Sequence, residues 1–253
     1  MPPSGKSSRS RRHGHKKRSS PPAGPAEGAL IIFAKAPVPG DVKTRLCPPL
    51  TPDEAASLHG SMVMDVAEQS RGVRNLDRFL ACTPSSEHAF FQTLGARYGV
   101  TLCEQDGDDL GQRMDLALAD ALGKGYRYAL IVGTDIPALA PPTYKNALSV
   151  LQTHDIVLGP THDGGYYLIG LKQPTPELFV DIPWSTDQVC AITQAKGQSL
   201  GRTVGLLETE RDIDTFADLH ALVADSKGSE KRKLSTRTTN VMQTLIQRHG
   251  KLG

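Results

Sequence analysis

The chain of 253 residues carries 29 Lys and Arg against 27 Asp and Glu, and is 38% hydrophobic but only 5% aromatic, a length that suits one or two domains. Its net charge of +2 hides a segregation: residues 1–28 and 226–253 each hold seven basic residues and one acidic, leaving 15 basic and 25 acidic residues in 29–225. An acidic body offers no surplus positive face to nucleic-acid phosphates, and the longest apolar run, Ala29–Ala34, is far short of the ~20 residues that span a bilayer, so neither a specific nucleic acid nor a membrane span is expected.

The first 28 residues contain no large apolar side chain after Met1 and read as a disordered, solvated basic tail. They lack the apolar core of a secretory signal, and the four cysteines (Cys47, Cys82, Cys103, Cys190) form no C-x-x-C pair, so a cytoplasmic protein with reduced thiols is expected. The body, 29–225, alternates strand-like and helix-like segments. Ala29–Phe33 is a continuous apolar run of the kind found in buried parallel strands. Thr51-Pro-Asp-Glu54 spells a capping box with proline at the first helical position, followed by a stripe of Ala55, Leu58, Met62 and Val66. Strands are predicted over Arg78–Cys82 and Val100–Cys103, then a helix over Leu110–Leu122, a strand Tyr128–Val132 and a helix over about Pro142–Leu151. Strands Ile156–Leu158 and Tyr166–Leu171 follow. Ser185-Thr-Asp-Gln188 reads as a second capping box, for a helix carrying Val189, Ile192 and Ala195. A strand over Thr203–Leu207 and a helix from Asp214 close the body. Residues 226–253 are expected to be a basic tail with a short helix whose face is Leu234, Val241, Leu245 and Ile246. Strands separated by helices imply a mostly parallel sheet between helical layers, a three-layer α/β/α domain in which ligands bind at the carboxyl ends of the strands.

Four strand ends carry candidate chemistry. The first leads into Ala34-Lys-Ala-Pro-Val-Pro-Gly-Asp-Val-Lys-Thr-Arg-Leu46, where a turn at Gly40 stands among Lys35, Lys43 and Arg45; backbone N–H groups beside three cations suit a diphosphate. Neither GxxxxGK[ST] nor GxGxxG is present. The strand Tyr128–Val132 ends in Gly133-Thr-Asp-Ile-Pro, placing Asp135 where one carboxylate, nucleotide phosphates and water can hold Mg²⁺, or where it merely caps a turn. Asp163, in Gly159-Pro-Thr-His-Asp-Gly-Gly165, is a second candidate acid, or simply hairpin chemistry; His162 beside it reads as solvated. Asp106-Gly-Asp-Asp-Leu-Gly-Gln-Arg113 sets Gly111 and Arg113 at a helix start, where a cation wants an anionic partner such as phosphate. Trp184, Ser185 and Thr186 precede a helix N-terminus suited to an acceptor anion. Asp214 is first read as a helix cap.

The runs FAKAPVPGDVKTRL, DLGQRM, GTDIPAL, GPTHDGGYYLIGL, PWST and DIDTFADL, spread over about residues 29–222, resemble a family of bacterial GT-A-fold transferases linked to arsenosugar or radical-SAM/selenium gene clusters. Its superfamily is that of the nucleotide-diphospho-sugar transferases, which includes molybdenum-cofactor and phospholactate guanylyltransferases. The resemblance implies a Rossmann-like GT-A fold, a nucleotide sugar or nucleoside triphosphate as substrate, and Mg or Mn. It maps Lys35, Gly40, Lys43 and Arg45 to the phosphate loop, Asp135 to the metal, and Asp163 to a catalytic acid near the reacting centre. Thr134-Asp135 stands where many sugar transferases carry D-x-D, and the first loop lacks the closely spaced glycines of sugar nucleotidyltransferases. Glycosyl transfer to a small acceptor is the first expectation. Nucleotidyl transfer with release of pyrophosphate is the alternative, and a non-catalytic nucleotide-binding scaffold the third reading.

Overall fold

The computed structural model describes residues 26–137, 139–226 and 235–250; the basic segment 1–25 and Leu234 lie outside the described residues. Seven strands form one sheet: β1 (Gly28–Lys35), β2 (Leu76–Thr83), β3 (Thr101–Glu104), β4 (Tyr128–Val132), β5 (Ile156–Pro160), β6 (Tyr166–Leu171) and β7 (Val204–Leu206). Their order is β3-β2-β1-β4-β6-β5-β7. All neighbours are parallel except β6, which runs antiparallel to both β4 and β5. β5 and β6 are thus a hairpin through Asp163 and the two following glycines, while the remaining crossovers carry helices.

Both faces of the sheet are covered, which is why β1 and β4 read as unbroken apolar runs rather than alternating ones. Leu30, Ile32, Leu80, Leu130, Val132 and Val157 point into one core beneath α1 (Pro52–Gln69), α2 (Ala89–Tyr98) and α4 (Pro141–Thr153). Ala29, Ile31, Ala81, Ile131, Leu158 and Ile169 point into the other, beneath α3 (Leu110–Gly123) and α5 (Val189–Ser199). The three-layer α/β/α expectation holds.

Local signals fared unevenly. The capping box at the start of α1 forms as spelled: Glu54 N–H donates to Thr51 Oγ1 at 3.2 Å, and Thr51 N–H donates to Glu54 Oε2 at 3.0 Å. The box expected at Ser185–Gln188 does not. Ser185 adopts φ +66, α5 starts only at Val189, and its capping residue Gln188 makes no side-chain bond. The last helix of the body, α6 (Phe216–Ser226), is capped by the pair Thr215 and Asp218, not by Asp214. Helix α2 went unread, because its N-terminal cap is His88, whose Nδ1 accepts from Phe90 N–H, an unusual start signal. Its stripe of Phe91, Leu94 and Tyr98 is nonetheless helical.

The C-terminal segment is more than a tail. Its helix, α7 (Thr236–His249), buries Met242 and Leu245 against the outer side of α1, in a third cluster with Leu46, Leu50, Leu58, Met62, Ile213, Leu219 and Leu222. Each such side chain contributes about 1.5–3 kcal/mol by leaving water. Asp65 of α1, wholly buried, accepts from Ser235 Oγ at 2.7 Å and from Arg237 at 2.7 Å, which fixes the start of α7. At its other end Glu54 takes Arg248 at 3.2 Å and His249 at 2.9 Å. The Thr51 N–H bond, with help from Arg248 and His249 and against some burial, holds the Glu54 carboxyl below its ordinary value. A carboxyl depressed on folding stabilises the native state above its unfolded pKa and loses that contribution as pH falls through the folded one. Thermal melts are therefore expected to decline as the pH drops below about 4.5, with Glu54→Gln showing a shallower decline. Equal slopes for the two proteins would remove Glu54 from the α7 anchor.

Candidate active site

Chain order reverses between β1 and β4: β1 is followed by its neighbour β2 on one side, while β4 leads away on the other. Loops leaving such a pair diverge and open a crevice. Here the crevice is a cleft of about 760 Å³ at the carboxyl ends of the strands. Lys35 ends β1, Thr83 ends β2, Gln105 follows β3, and Gly133, Thr134 and Asp135 follow β4; all line it, together with Arg45, His59, Asp163, Trp184 and Asp214.

At its rim Lys43 is clasped between two carboxylates. Its Nζ lies 2.7 Å from Asp135 Oδ1 and 2.8 Å from Asp214 Oδ1, and Arg45 adds a contact to Asp214 Oδ2 at 3.3 Å. The Lys43 side chain is only 5% exposed. Burial alone pulls its pKa down, but the two carboxylates outweigh burial, and the net shift is upward. Burial pushes Asp135 up, and the Lys43 ammonium more than reverses this, so Asp135 is held ionised. Lys43 itself adopts φ +50 before a single 3₁₀ turn at Thr44–Leu46, a left-handed backbone that costs a β-carbon-bearing residue roughly 1–3 kcal/mol. The backbone N–H of Ile213 donates to the Asp135 carbonyl at 3.0 Å, which brings Asp212 and Asp214 beside the end of β4.

A second acidic group adjoins the clasp. Ligand oxygens of Asp163, Asp212 and Asp214 lie within 4.8 Å of one another. Burial, then the charges of Asp163 and Asp214, push the Asp212 carboxyl up to about 6. Asp163 is steadied by Thr161 Oγ1 at 2.5 Å and Gly165 N–H at 3.0 Å, both donating to Oδ1. Hard oxygen donors carrying more negative charge than one lysine offsets match what Mg²⁺ or Mn²⁺ takes. His59 lies beneath the first loop, 95% buried, its Nε2 2.9 Å from the Lys35 carbonyl. Burial lowers its pKa, so the ring is neutral; Nε2 then carries the proton and donates, leaving Nδ1 without a partner among the described residues.

The structure redistributes the roles read from sequence. Lys35, Arg45, Asp135 and Asp163 do converge on one cleft. Lys43 is there too, but its ammonium is spent on two carboxylates instead of lying open to phosphate. Gly40 takes φ +85 at an exposed turn with open space around it and does not line the cleft. Gly111 and Arg113 do not line the cleft either. Gly111 is buried where a β-carbon would come within 2.8 Å of Trp184 and 3.0 Å of the Phe179 carbonyl. Arg113 Nε donates to the Gly107 carbonyl at 2.9 Å and lines a separate hollow, so the partner its position called for is a backbone oxygen. Trp184, Ser185 and Thr186 do line the cleft, and at the start of α5 the Cys190 N–H already donates to the Gly164 carbonyl at 2.9 Å. Gly164 is obligatory there, with φ +90 and no room for a β-carbon against the Asp187 backbone. Sequence reasoning missed Asp212, His59 and Gln105, and gave Asp214 a cap; the repeated Asp in Asp212-Ile-Asp214 was the available signal.

Comparisons with known proteins agree with this fold. The family model "Uncharacterized protein conserved in bacteria (DUF2064)" matches residues 66–186, from the end of α1 to the loop of Trp184. A crystal structure from Desulfovibrio desulfuricans G20, of a protein provisionally described as a nucleotide-diphospho-sugar transferase, superposes with a TM-score of 0.80 at 31% identity, covering 88% of this chain and 98% of that one. The chain is also similar to the 2-phospho-L-lactate guanylyltransferase of Methanothermobacter thermautotrophicus, 26% identical over 197 residues, 76% of this chain and 82% of the relative. It is 29% identical over 187 residues to the phosphoenolpyruvate guanylyltransferase of Sphaerobacter thermophilus, 71% of this chain and 86% of the relative. An association with arsenosugar or radical-SAM genes finds no counterpart in these matches. Among the described residues no helix is long and apolar enough to cross a membrane.

Proposed function

Since the chain matches the DUF2064 family model over residues 66–186 and has the architecture of the nucleotide-diphospho-sugar transferases, we propose that it is a metal-dependent nucleotidyltransferase acting on a nucleoside triphosphate, GTP first, and a phosphorylated small molecule. Nucleotidyl transfer takes precedence over the glycosyl transfer first expected because both curated relatives are guanylyltransferases. The observation that carries the reading is the Lys43 clasp: a buried ammonium joining Asp135 and Asp214 at the switch point of the sheet.

In this reading the acceptor phosphate oxygen attacks the α-phosphorus, the bond to the bridging oxygen of the β-phosphate breaks, and pyrophosphate leaves. Lys35 and Arg45 hold the triphosphate, and their charge meets the negative charge that develops on the leaving group. Lys43 keeps Asp135 ionised and holds both Asp135 and Asp214 in place. Asp214, with Asp163 and Asp212 around it, would hold Mg²⁺ or Mn²⁺, which supplies a Lewis acid for the phosphates when bound. His59 stays neutral and fixes the Lys35 carbonyl, setting the exit of β1.

Binding to the native state raises the melting temperature by mass action. GTP with Mg²⁺ or Mn²⁺ is expected to raise it more than either alone, and pyrophosphate is expected to appear when acceptor is added. Release of a nucleoside diphosphate from a sugar nucleotide would restore the glycosyl reading. Binding without turnover of either kind would favour the silent scaffold.

A further inference from the structure

The strand order divides the lining of the cleft into two parts, here called arms, on either side of the Lys35 and Asp135 rim. One runs over the ends of β1, β2 and β3, past Thr83 and Gln105, whose amide nitrogen donates to the Ala34 and Ala81 carbonyls. The other runs beneath α3 and the 184–189 loop, where Met114, Tyr166, Ile169, Trp184 and Val189 form the wall. Phosphates held at the rim by Lys35 and Arg45 send the nucleoside along the first arm, which has the polar edges a base reads, and leave the second for the acceptor.

This second arm is poor in anything that welcomes an anion. The charged side chains along it are the carboxylates Asp163 and Asp187. Two neighbouring cations are turned elsewhere: Arg113 to the Gly107 carbonyl and Lys196 to the Val180 carbonyl. At the start of α5, which faces it, the Cys190 N–H is bonded to the Gly164 carbonyl. Trp184 is held in place between two left-handed residues, Asp181 at φ +53 and Ser185 at φ +66, against the bare backbone of Gly111. Its indole N–H has no partner among the described residues.

We propose that this arm takes the acceptor as a phosphomonoester whose body is otherwise uncharged and presents an apolar or ring face to Trp184. The phosphocarboxylates named for the two relatives are accordingly poor acceptors here. The inference rests on the nucleotidyl-transfer reading. A ring face satisfies the indole by offset or edge contact, a hydroxyl can take its N–H, and a second anion would meet the Asp187 carboxylate with no side-chain cation along the arm to offset it.

Trp184 is the single tryptophan of the chain, so its emission reports this arm directly. The full chain, loaded with Mg²⁺ and a non-hydrolysable GTP analogue, is titrated with phenyl phosphate and with 2-phospho-L-lactate, and each affinity is repeated by calorimetry. Phenyl phosphate is expected to change the emission and to bind at least tenfold more tightly than 2-phospho-L-lactate. Trp184→Ala should lose at least tenfold in phenyl phosphate affinity, and Trp184→Phe should restore most of it. Equal or tighter binding of 2-phospho-L-lactate overturns the proposal, and so does an emission change that saturates with the nucleotide analogue alone, which would give the wall to the base. If the analogue itself gives no binding heat, the nucleotidyltransferase reading fails and the acceptor assignment goes with it. If the analogue binds and the acceptors rank in reverse, only the acceptor assignment fails.

Discussion

Lys43→Met is expected to cut turnover of nucleoside triphosphate by ~10²-fold or more while leaving a folded protein, because removing one preorganised charge from such a site costs about that much. Without the ammonium, Asp135 and Asp214 face each other with only Arg45, on the far oxygen of Asp214, to offset them. Breaking a fully buried pair costs ~3–5 kcal/mol, but the Asp135 side chain is 48% exposed, so a loss of about 1–2 kcal/mol in stability is expected instead. Lys43→Gly separates backbone from charge: glycine accepts φ +50 without strain and cancels part of the stability loss, but it should restore no activity. Lys43→Arg should fare little better, since a planar fork cannot stand in for a point charge 2.7 and 2.8 Å from two carboxylates. Calorimetric melts and pyrophosphate release measure the two effects. Full activity in the methionine variant would dismiss the clasp as a surface ion pair.

Asp214→Asn is expected to abolish the metal-dependent part of nucleotide stabilisation and to lower turnover by ~10³-fold, the upper end for loss of one electrostatic group. Asp214 belongs both to the Lys43 clasp and to the carboxylate cluster with Asp163 and Asp212. Asp135→Asn touches the clasp alone, so it should leave a measurable part of the metal response. A complete loss with Asp135→Asn and none with Asp214→Asn would return the metal to Asp135, where the sequence motif first put it. Thermal shift with Mn²⁺ titrated at fixed GTP distinguishes the two.

Much of the fold was legible because its signals are local. Continuous apolar runs marked the strands covered on both faces, and Thr51-Pro-Asp-Glu54 marked the start of α1. Where the signals are tertiary, the reading failed. His88 caps α2 through a ring nitrogen, which no propensity encodes. Ser185 has the chemistry of a cap but is held at φ +66 by the loop that presents Trp184. The site shows the same division. The first loop and the turn after β4 announce themselves by composition and by position at strand ends. Asp214 and Lys43 are 171 residues apart, and their bond exists only because Ile213 pairs with the end of β4. Asp214 in isolation looks like an ordinary cap, a role that Thr215 and Asp218 in fact fill.

The third hydrophobic cluster links the C-terminal segment to chemistry that it never touches. Leu46, directly after Arg45, and Ile213, directly before Asp214, both rest on it beside Met242 and Leu245 of α7. The loop that carries Lys43 and the segment that carries Asp214, two jaws of the clasp, therefore stand on a common footing, and its last stones are laid by the final twenty or so residues. A chain cut short after Ser226 would keep its sheet but lose the bedding under both jaws. Catalysis should fade in such a protein well before the rest of the architecture gives way.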